Sequence, residues 1–207
     1  MASDSDRIDQ LGYLTMSRDR AGDRASALAT LQDALNVANG ITDKPSKANS
    51  LQRVASDYAS LSEHSRAKEV IGQALAVAGQ IKSVSSRSFA VFEIAFVLDQ
   101  LGDADGLHRA IGMMKMDDSS IPYVLSEIVH VEAGQGDIDA AIQTNATLRI
   151  RKDIVLASEG MRRIATARVR RNGPSNALAW SRSLPSPYDR ARALLGVVEG
   201  MVDKSGT

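Results

Sequence analysis

The chain has 207 residues, of which 43% are hydrophobic and 24% are charged, with equal numbers of basic and acidic side chains. This apolar content can build a core, so the composition predicts a folded chain and not a disordered tail. The lack of a net basic charge argues against a general nucleic-acid or membrane-surface binder. The sequence contains no cysteine, which excludes disulfides, thiolate catalysis and cysteine-ligated metal sites and fits cytosol and periplasm equally.

The start of the sequence has no basic stretch followed by an apolar one, so it predicts no signal peptide. No apolar run approaches the roughly 20 residues needed to cross a bilayer, which predicts a soluble chain of undetermined compartment. The charge is nevertheless unevenly distributed along the chain. Residues 1–148 hold 13 Lys/Arg and 20 Asp/Glu, whereas residues 149–207 hold 12 and 5. The two parts are therefore predicted to carry opposite net charges.

One apolar pattern recurs six times along the chain. Each copy has an apolar anchor residue with a large apolar residue three positions before it, and every copy but the first has an apolar residue directly after it. This i, i+3, i+4 stripe is typical of a helix that packs on one face. The anchors, which are spaced 40, 40, 34, 36 and 33 residues apart, are Leu14, Val54, Ile94, Ile128, Ile164 and Val197.

Turn signals follow the first five anchors at a fixed distance. Eight and nine residues after them stand Gly22-Asp23, Ser62-Glu63, Gly102-Asp103, Gly136-Asp137 and Asn172-Gly173. Glycine or asparagine can adopt the left-handed conformation that ends a helix, and a carboxylate favours the N-terminus of the next helix. Thirteen residues after the anchors stand four alanines and Leu107, and the alanines allow antiparallel helices to approach closely.

These signals predict helices in pairs. First helices are expected near 6–20, 46–60, 86–101, 121–134 and 154–171, and second helices near 24–39, 64–80, 104–115, 138–150 and 175–183. A last helix near 188–202 is expected to cover the final hairpin with Leu194, Val197, Val198 and Met201. No stretch alternates with period two over the length of a strand, so no sheet is expected.

A period near 34 residues with a large apolar residue, a small residue, a Gly-Asp turn and then alanine resembles a degenerate form of the tetratricopeptide repeat (TPR) family, over nearly the whole chain. The resemblance implies an all-α, right-handed α-α superhelix of about five helical hairpins plus a C-terminal capping helix, about 11 helices in total. It also implies a single repeat domain over residues 1–207. Its repeats are expected at 6–45, 46–85, 86–120, 121–153 and 154–187, with the capping helix at 188–202. One long helical bundle is the alternative fold.

The sequence lacks the motifs that mark common enzymes and metal sites. It has no glycine-rich phosphate loop, no His-Glu-x-x-His pair and no Gly-x-Ser-x-Gly elbow. Its three histidines, His64, His108 and His130, lie in different predicted elements without metal-ligand spacing. Residues 103–106 resemble the start of a calcium loop, but Met114 stands at the twelfth position, where a glutamate is required. The sequence therefore predicts a non-catalytic chain without cofactor or metal.

The TPR resemblance also implies a concave groove lined by the first helices. Its groove positions lie five and two residues before each anchor, and two, five and six residues after it. In the third repeat they hold Phe89, Phe92 and Phe96, which are the only phenylalanines in the chain. Aromatic and arginine side chains together suit an extended peptide or an amphipathic helix. The predicted partner-binding residues are Phe89, Phe92, Phe96, Tyr123, His130, Arg162, Arg170 and Arg192.

Two observations leave other interpretations open. Helix 86–101 is also apolar on its opposite face, so its phenylalanines could instead fill the inside of the solenoid or form a self-association surface. Eight Lys/Arg residues between Arg149 and Arg171 could form a solvated face, pair with the acidic part of another copy, or attract an acidic protein or nucleic acid. No aromatic residue lies among them for base stacking, so nucleic acid is the least favoured partner.

The sequence therefore predicts a protein- or peptide-binding scaffold that acts through a concave groove. The first alternative is a self-assembling structural protein, a homo-oligomer that pairs acidic and basic ends. The second is a nucleic-acid-binding or regulatory module that uses the basic segment 149–171.

Overall fold

The computed structural model describes residues 4–115 and 118–205, and over that part it consists of eleven α-helices without a β-strand. The helices are α1 Asp4–Arg20, α2 Arg24–Gly40, α3 Lys44–Ser60, α4 His64–Ala78, α5 Val84–Gln100, α6 Ala104–Ile111, α7 Ile121–Gln135, α8 Ile138–Ile150, α9 Ile154–Asn172, α10 Pro174–Ser183 and α11 Pro187–Ser205. The predicted helices and the all-α fold class are confirmed. None of these helices is long and apolar enough to cross a membrane.

The turns within the hairpins follow the predicted signals. The glycine of each Gly-Asp pair has a positive φ of 63° to 81°, and the aspartate after it accepts a hydrogen bond from the backbone N–H three residues on, at 2.8 to 3.3 Å. In the second repeat Ser62 adopts the same left-handed conformation, with φ 60°. In the fifth repeat the positive φ, 84°, belongs to Gly173, because Asn172 is still helical. The local sequence therefore defines where each hairpin turns.

The recurring anchors form the core. Five of the six anchors, Val54, Ile94, Ile128, Ile164 and Val197, are at most 4% exposed. The residues thirteen positions after the first five anchors are all 0% exposed, namely Ala27, Ala67, Leu107, Ala141 and Ala177. Leu14 is the exception: it is 41% exposed, whereas its neighbour Thr15 is buried. α1 packs against α2 and α3, and Leu14 lies on the face of α1 that these helices leave open.

The chain folds into two compact units, one ending at Asp118 and the other beginning at Ser119. In the first unit α3 packs against both α1 and α5, and α2, α4 and α6 each pack against the helix that precedes them. In the second unit α9 is central and contacts α7, α8, α10 and α11. The single repeat domain over residues 1–207 and its repeat boundaries remain a prediction.

α11 packs against α9 through residues without bulky side chains. A Cβ added at Gly196 would overlap the carbonyl oxygen of Arg162, and one added at Gly200 would lie 2.8 Å from the Cβ of Val169. The hydroxyl of Thr166 donates a hydrogen bond to the carbonyl oxygen of Gly196 at 3.0 Å. The two glycines therefore allow the backbones of α9 and α11 to approach closely.

The predicted covering role of α11 is only partly correct. Val197 is buried and Leu194 is half-buried, but Val198 and Met201 are 58% and 50% exposed. The reason is rotation of the helix about its axis. α11 turns Ala193 and the two glycines toward α9 together with Val197, which leaves the opposite apolar face uncovered.

We predict that Gly196→Ala lowers the free energy of unfolding by about 2 kcal/mol or more, because overpacking a close helix contact forces the backbones apart. Urea denaturation of the full chain measures this change. Gly72→Ala is the control, since Gly72 is exposed in the interior of α4 and nothing lies within 4 Å of an added Cβ. This control should stabilise the chain by up to about 1 kcal/mol. Similar small effects of both substitutions would contradict the close packing of α11.

Candidate functional site

The three phenylalanines lie on one side of α5. Phe89 and Phe96 are 62% and 49% exposed, and Phe92 is half-buried. The rings of Phe92 and Phe96 meet edge to face, with their centroids 4.9 Å apart. The opposite side of α5 supplies the core with Val91 and Ile94, both fully buried. Core packing therefore does not account for the positions of Phe89 and Phe96.

Phe89 forms one wall of a shallow hollow between α3 and α5, of about 450 Å³. The other lining residues are small or polar: Pro45, Ser46, Asn49, Ser85, Ser86 and Ala90. Asn49 and Phe89 each stand five residues before their anchors, which makes both of them groove positions. This hollow therefore lies on the face that the TPR resemblance implied.

A second hollow of the first unit, of about 260 Å³, lies between α1 and α3. Its lining residues are Ile8, Asp9, Gly12, Tyr13, Met16, Gln52, Arg53, Ser56 and Asp57. Five of them, Asp9, Gly12, Met16, Gln52 and Ser56, stand at groove positions. We refer to this cavity as the Asp57 hollow. It, too, opens on the implied groove face.

The carboxylate of Asp57 is the unusual group in this hollow. It is half-buried, yet no hydrogen bond or ion pair joins it to another residue of the described chain. The nearby guanidinium of Arg53 binds Asp9 instead, with 2.5 Å between Nη2 and Oδ1. Burial raises the pKa of Asp57 from 3.8 to about 6; the charge of Arg53 opposes this shift and that of Asp9 adds to it.

In the second unit, α7, α9 and α11 line a cleft of about 420 Å³. Its lining residues are His130, Ala133, Gly134, Arg162, Arg163, Thr166, Ala167, Arg170, Glu199 and Asp203. All of them except Arg163 and Ala167 stand at groove positions. Three of the predicted partner-binding residues, His130, Arg162 and Arg170, therefore line one cleft.

Carboxylates form ion pairs with Arg162 and Arg170 of this cleft. Arg162 forms ion pairs with Glu159 on its own helix and with Glu199 on α11. Arg170 binds Asp203, with 2.6 Å between Nη2 and Oδ2. The hydrogen bond from Arg162 also lowers the pKa of Glu159. Two of the three predicted residues in the cleft, Arg162 and Arg170, are therefore already paired with carboxylates of their own unit.

The remaining predicted residues of the second unit are Tyr123 and Arg192, which do not line the cleft. Tyr123 is 56% exposed on α7. The guanidinium of Arg192 lies over the ring of Tyr188, 5.6 Å from its centroid, and its Nη1 is 3.7 Å from Glu159 Oε2. Arg192 therefore joins the charge network of the cleft through Glu159.

Much of the basic run between Arg149 and Arg171 is also bound within the second unit. Arg149 forms an ion pair with Asp189, which is only 1% exposed and therefore needs a cationic partner. The guanidinium of Arg168 lies 4.9 Å from the ring centroid of Trp180, and Arg171 donates to a backbone carbonyl oxygen at the end of α7. Through these contacts Arg149, Arg168 and Arg171 bind groups of the second unit, which the sequence alone did not reveal.

No protein-family model matches this sequence, and no curated protein matches it by sequence similarity. Solved structures nevertheless match its fold. It is similar to the crystal structure of Ton1535 from Thermococcus onnurineus NA1, with a TM-score of 0.54 and 15% identity over 99% of this chain and 65% of that one. It is also similar to the nearly identical TPR-like repeats of a Podosopora anserina kinesin light chain candidate, with a TM-score of 0.56 and 15% identity over 100% of both chains.

A point variant of the same Podosopora anserina repeats matches equally well, with a TM-score of 0.56 and 14% identity. The chain therefore has a TPR-like helical-repeat fold, as its residue pattern predicted. At this level of identity the likeness shows the fold alone.

We predict that Asp57→Asn increases the free energy of unfolding at pH 7 by about 1 to 2 kcal/mol, because the folded chain must otherwise hold a poorly solvated carboxylate in its charged form. The folded pKa of about 6 lies above the value of 3.8 expected in the unfolded chain. The unaltered protein should therefore lose stability relative to the variant as the pH rises from about 4 to about 6, with little further loss above that, and the two should be equally stable below about pH 4.

Urea denaturation of both proteins between pH 4 and 8 measures this difference. Asp33→Asn is the matched control, since Asp33 is exposed on α2 and the substitution removes the same charge without affecting the hollow. A variant at position 57 that is less stable than the unaltered protein at pH 7 would show that the carboxylate has a structural partner.

Proposed function

We propose that the chain is a non-catalytic module that binds a protein or peptide through the first helices of its hairpins. The single observation that carries the proposal is the exposure of Phe89 at the hollow between α3 and α5 and of Phe96 about two turns further along the same side of α5. Exposed aromatic groups next to a concavity typically mark interaction sites, since they supply buried area once a partner binds. Helical-repeat folds commonly offer such extended surfaces to other proteins.

The chemistry of the hollow indicates what the partner must present. An apolar side chain of the partner would pack on Phe89 and Phe96, and Asn49 offers an amide that can hydrogen-bond to a peptide backbone. An extended peptide or one face of an amphipathic helix meets both needs. The partner we propose is therefore a peptide segment with at least one large apolar residue.

The proposal of a non-catalytic role rests on the fold and on the absence of enzyme motifs from the sequence. The carboxylate of Asp103, which begins the calcium-like segment, accepts a hydrogen bond from the backbone N–H of Gly106 at 2.8 Å and so caps α6.

A nucleic-acid-binding or regulatory role for segment 149–171 has less support, because Arg149, Arg168 and Arg171 contact groups of their own unit.

We predict that Phe89→Ala and Phe96→Ala each weaken peptide binding by about tenfold or more, as expected for loss of an aromatic anchor. The experiment selects peptides on the full chain from a display library and measures their dissociation constants by fluorescence anisotropy. Each substitution should change the free energy of unfolding by less than about 1 kcal/mol, because the rings are exposed.

Ile154→Ala is the control, since Ile154 is 62% exposed like Phe89 but lies at the start of α9. It should leave peptide binding unchanged. Unchanged affinity of the phenylalanine variants would argue against the groove, and so would a loss of several kcal/mol in stability, which is the scale for emptying a core position.

Self-association is the second candidate function, and the uncovered face of α11 favours it. Leu195, Val198, Met201 and Val202 are 50% to 63% exposed. Val198 stands directly after its anchor, and the equivalent residues of four other repeats, Ala55, Ala95, Val129 and Ala165, are at most 2% exposed. In the fifth repeat this residue, Ala165, shares a buried cluster with Ala177 of α10 and with Ala193 and Val197 of α11. No described helix follows α11, so we expect another helix to cover its exposed face.

A second copy of the chain suits this face by symmetry. Ala191, Leu195, Val198 and Val202 follow the spacing of one helical stripe, so a two-fold axis between Leu195 and Val198 would lay two copies of the stripe against each other. Arg192 and Glu199 flank the stripe on the same side, but they are already paired with Glu159 and Arg162, so the contact between the copies would be mainly apolar. This arrangement differs from the predicted pairing of acidic and basic ends, for which the bound arginines leave fewer free charges.

We predict that the unaltered chain forms dimers in a concentration-dependent manner and that Val198→Glu abolishes them, because a buried unpaired carboxylate is costly. Multi-angle light scattering from micromolar to millimolar concentration measures the mass. Val155→Glu is the control, since Val155 is 66% exposed in the first turn of α9, where an acidic residue is tolerated. A chain that remains monomeric throughout this range would exclude the α11 pairing.

A further inference from the structure

The Asp57 hollow has the chemical make-up of a site for a cation. We propose that it binds a basic side chain, lysine or arginine, of the partner peptide. This inference rests on the proposed peptide-binding function of the groove, and it specifies one position in the peptide. The Asp57 hollow lies between α1 and α3, and the hollow beside Phe89 lies between α3 and α5. Both hollows open on the groove face of the first unit.

The first argument is the charge inside the hollow. Two carboxylates, Asp9 and Asp57, line it with one guanidinium, that of Arg53. Arg53 is 2.5 Å from Asp9, so it satisfies that carboxylate and leaves Asp57 without an ion-pair partner in the described chain. An incoming ammonium or guanidinium group would supply the missing charge and donate the missing hydrogen bonds. An anion would instead meet an excess of negative charge.

The second argument is the shape of the hollow. A volume of about 260 Å³ is ample for the head group of a long basic side chain. Met16 is half-buried and provides an apolar surface against which an aliphatic stem can lie, while the buried Ile8 stands behind the hollow. Tyr13 lines the hollow and is 79% exposed, and its aromatic ring would attract a bound cation.

The third argument is that two residues unfavourable for stability lie opposite each other here. Gly12 stands in the interior of α1, where glycine is less favourable for a helix than alanine. A Cβ at this position would come within 2.9 Å of Asp57 Oδ2, so the glycine makes room for the carboxylate between α1 and α3. Burying the charge of Asp57 is also unfavourable, which its raised pKa reflects. Residues that reduce stability at one place are typical of a binding site.

The experiment titrates the ¹⁵N-labelled full chain with Nα-acetyl-arginine amide and Nα-acetyl-lysine amide, and with Nα-acetyl-glutamate amide as the anionic comparison. Heteronuclear NMR spectra report on the backbone amides of Gly12, Ser56 and Asp57. We expect saturable shifts of these signals with the two cationic probes and none with the glutamate probe. Asp57→Asn should weaken binding of the cationic probes by about tenfold or more, the loss expected for one charge-assisted hydrogen bond. Asp33→Asn should bind them as the unaltered chain does.

Because Asp57→Asn is expected to fold at least as stably as the unaltered chain, its loss of binding cannot be attributed to unfolding. The proposal is overturned if neither cationic probe shifts these signals, or if Asp57→Asn binds the probes as tightly as the unaltered chain. A titration with calcium chloride is the further comparison. Saturable shifts with calcium and none with the cationic probes would assign the hollow to a metal ion instead.

The same variants separate this inference from the function on which it rests. If the binding of selected peptides depends on Phe89 but not on Asp57, and the peptides contain no basic residue, the peptide-groove proposal is supported and the basic-subsite proposal is contradicted. If the arginine probe binds at Asp57 while no peptide depends on Phe89, the groove fails and the hollow is a site for small cations. Each failure therefore leaves a different pattern of binding.

Discussion

The structure depends on the close approach of neighbouring helices, which is possible only where side chains at the crossing points are small. Buried alanines hold that position in four antiparallel hairpins, and Gly196 and Gly200 allow a similarly close approach between α9 and α11, which run parallel. Close backbones bring large anchor residues of neighbouring helices into van der Waals contact, which provides the core. The faces of the first helices that do not contact other helices need no core residues. Phenylalanines and charged side chains can therefore stand on those faces.

Most of the fold follows from local rules that the sequence displays directly. Glycine before aspartate defines both a left-handed helix end and the cap of the next helix, and the anchor stripe selects the buried face. The exceptions arise where the neighbours differ. Leu14 and Val198 fit the stripe, but each lies on a helix face that no other described helix covers, so both are exposed. A one-dimensional pattern carries no information about which neighbours are present.

The site was predictable only in part. The spacing rule selected His130, Arg162 and Arg170, and these three line one cleft. It did not reveal that Glu199 and Asp203 from α11 would bind two of the arginines, because those contacts join residues more than 30 positions apart. Asp57 was missed for another reason. It stands one residue after the groove position of Ser56, and its carboxylate fits at the hollow because the facing helix has no side chain at Gly12.

The uncovered face of α11 has a consequence for protein engineering. In a nearest-neighbour array each hairpin adds its own stability and one interface, so such arrays tolerate lengthening at a free end. α11 already has the anchor residue, the close contact with α9 and an exposed apolar stripe against which another helix could pack. A designed turn and second helix, fused after Ser205, would complete another hairpin and give a template from which longer versions of the array could be built.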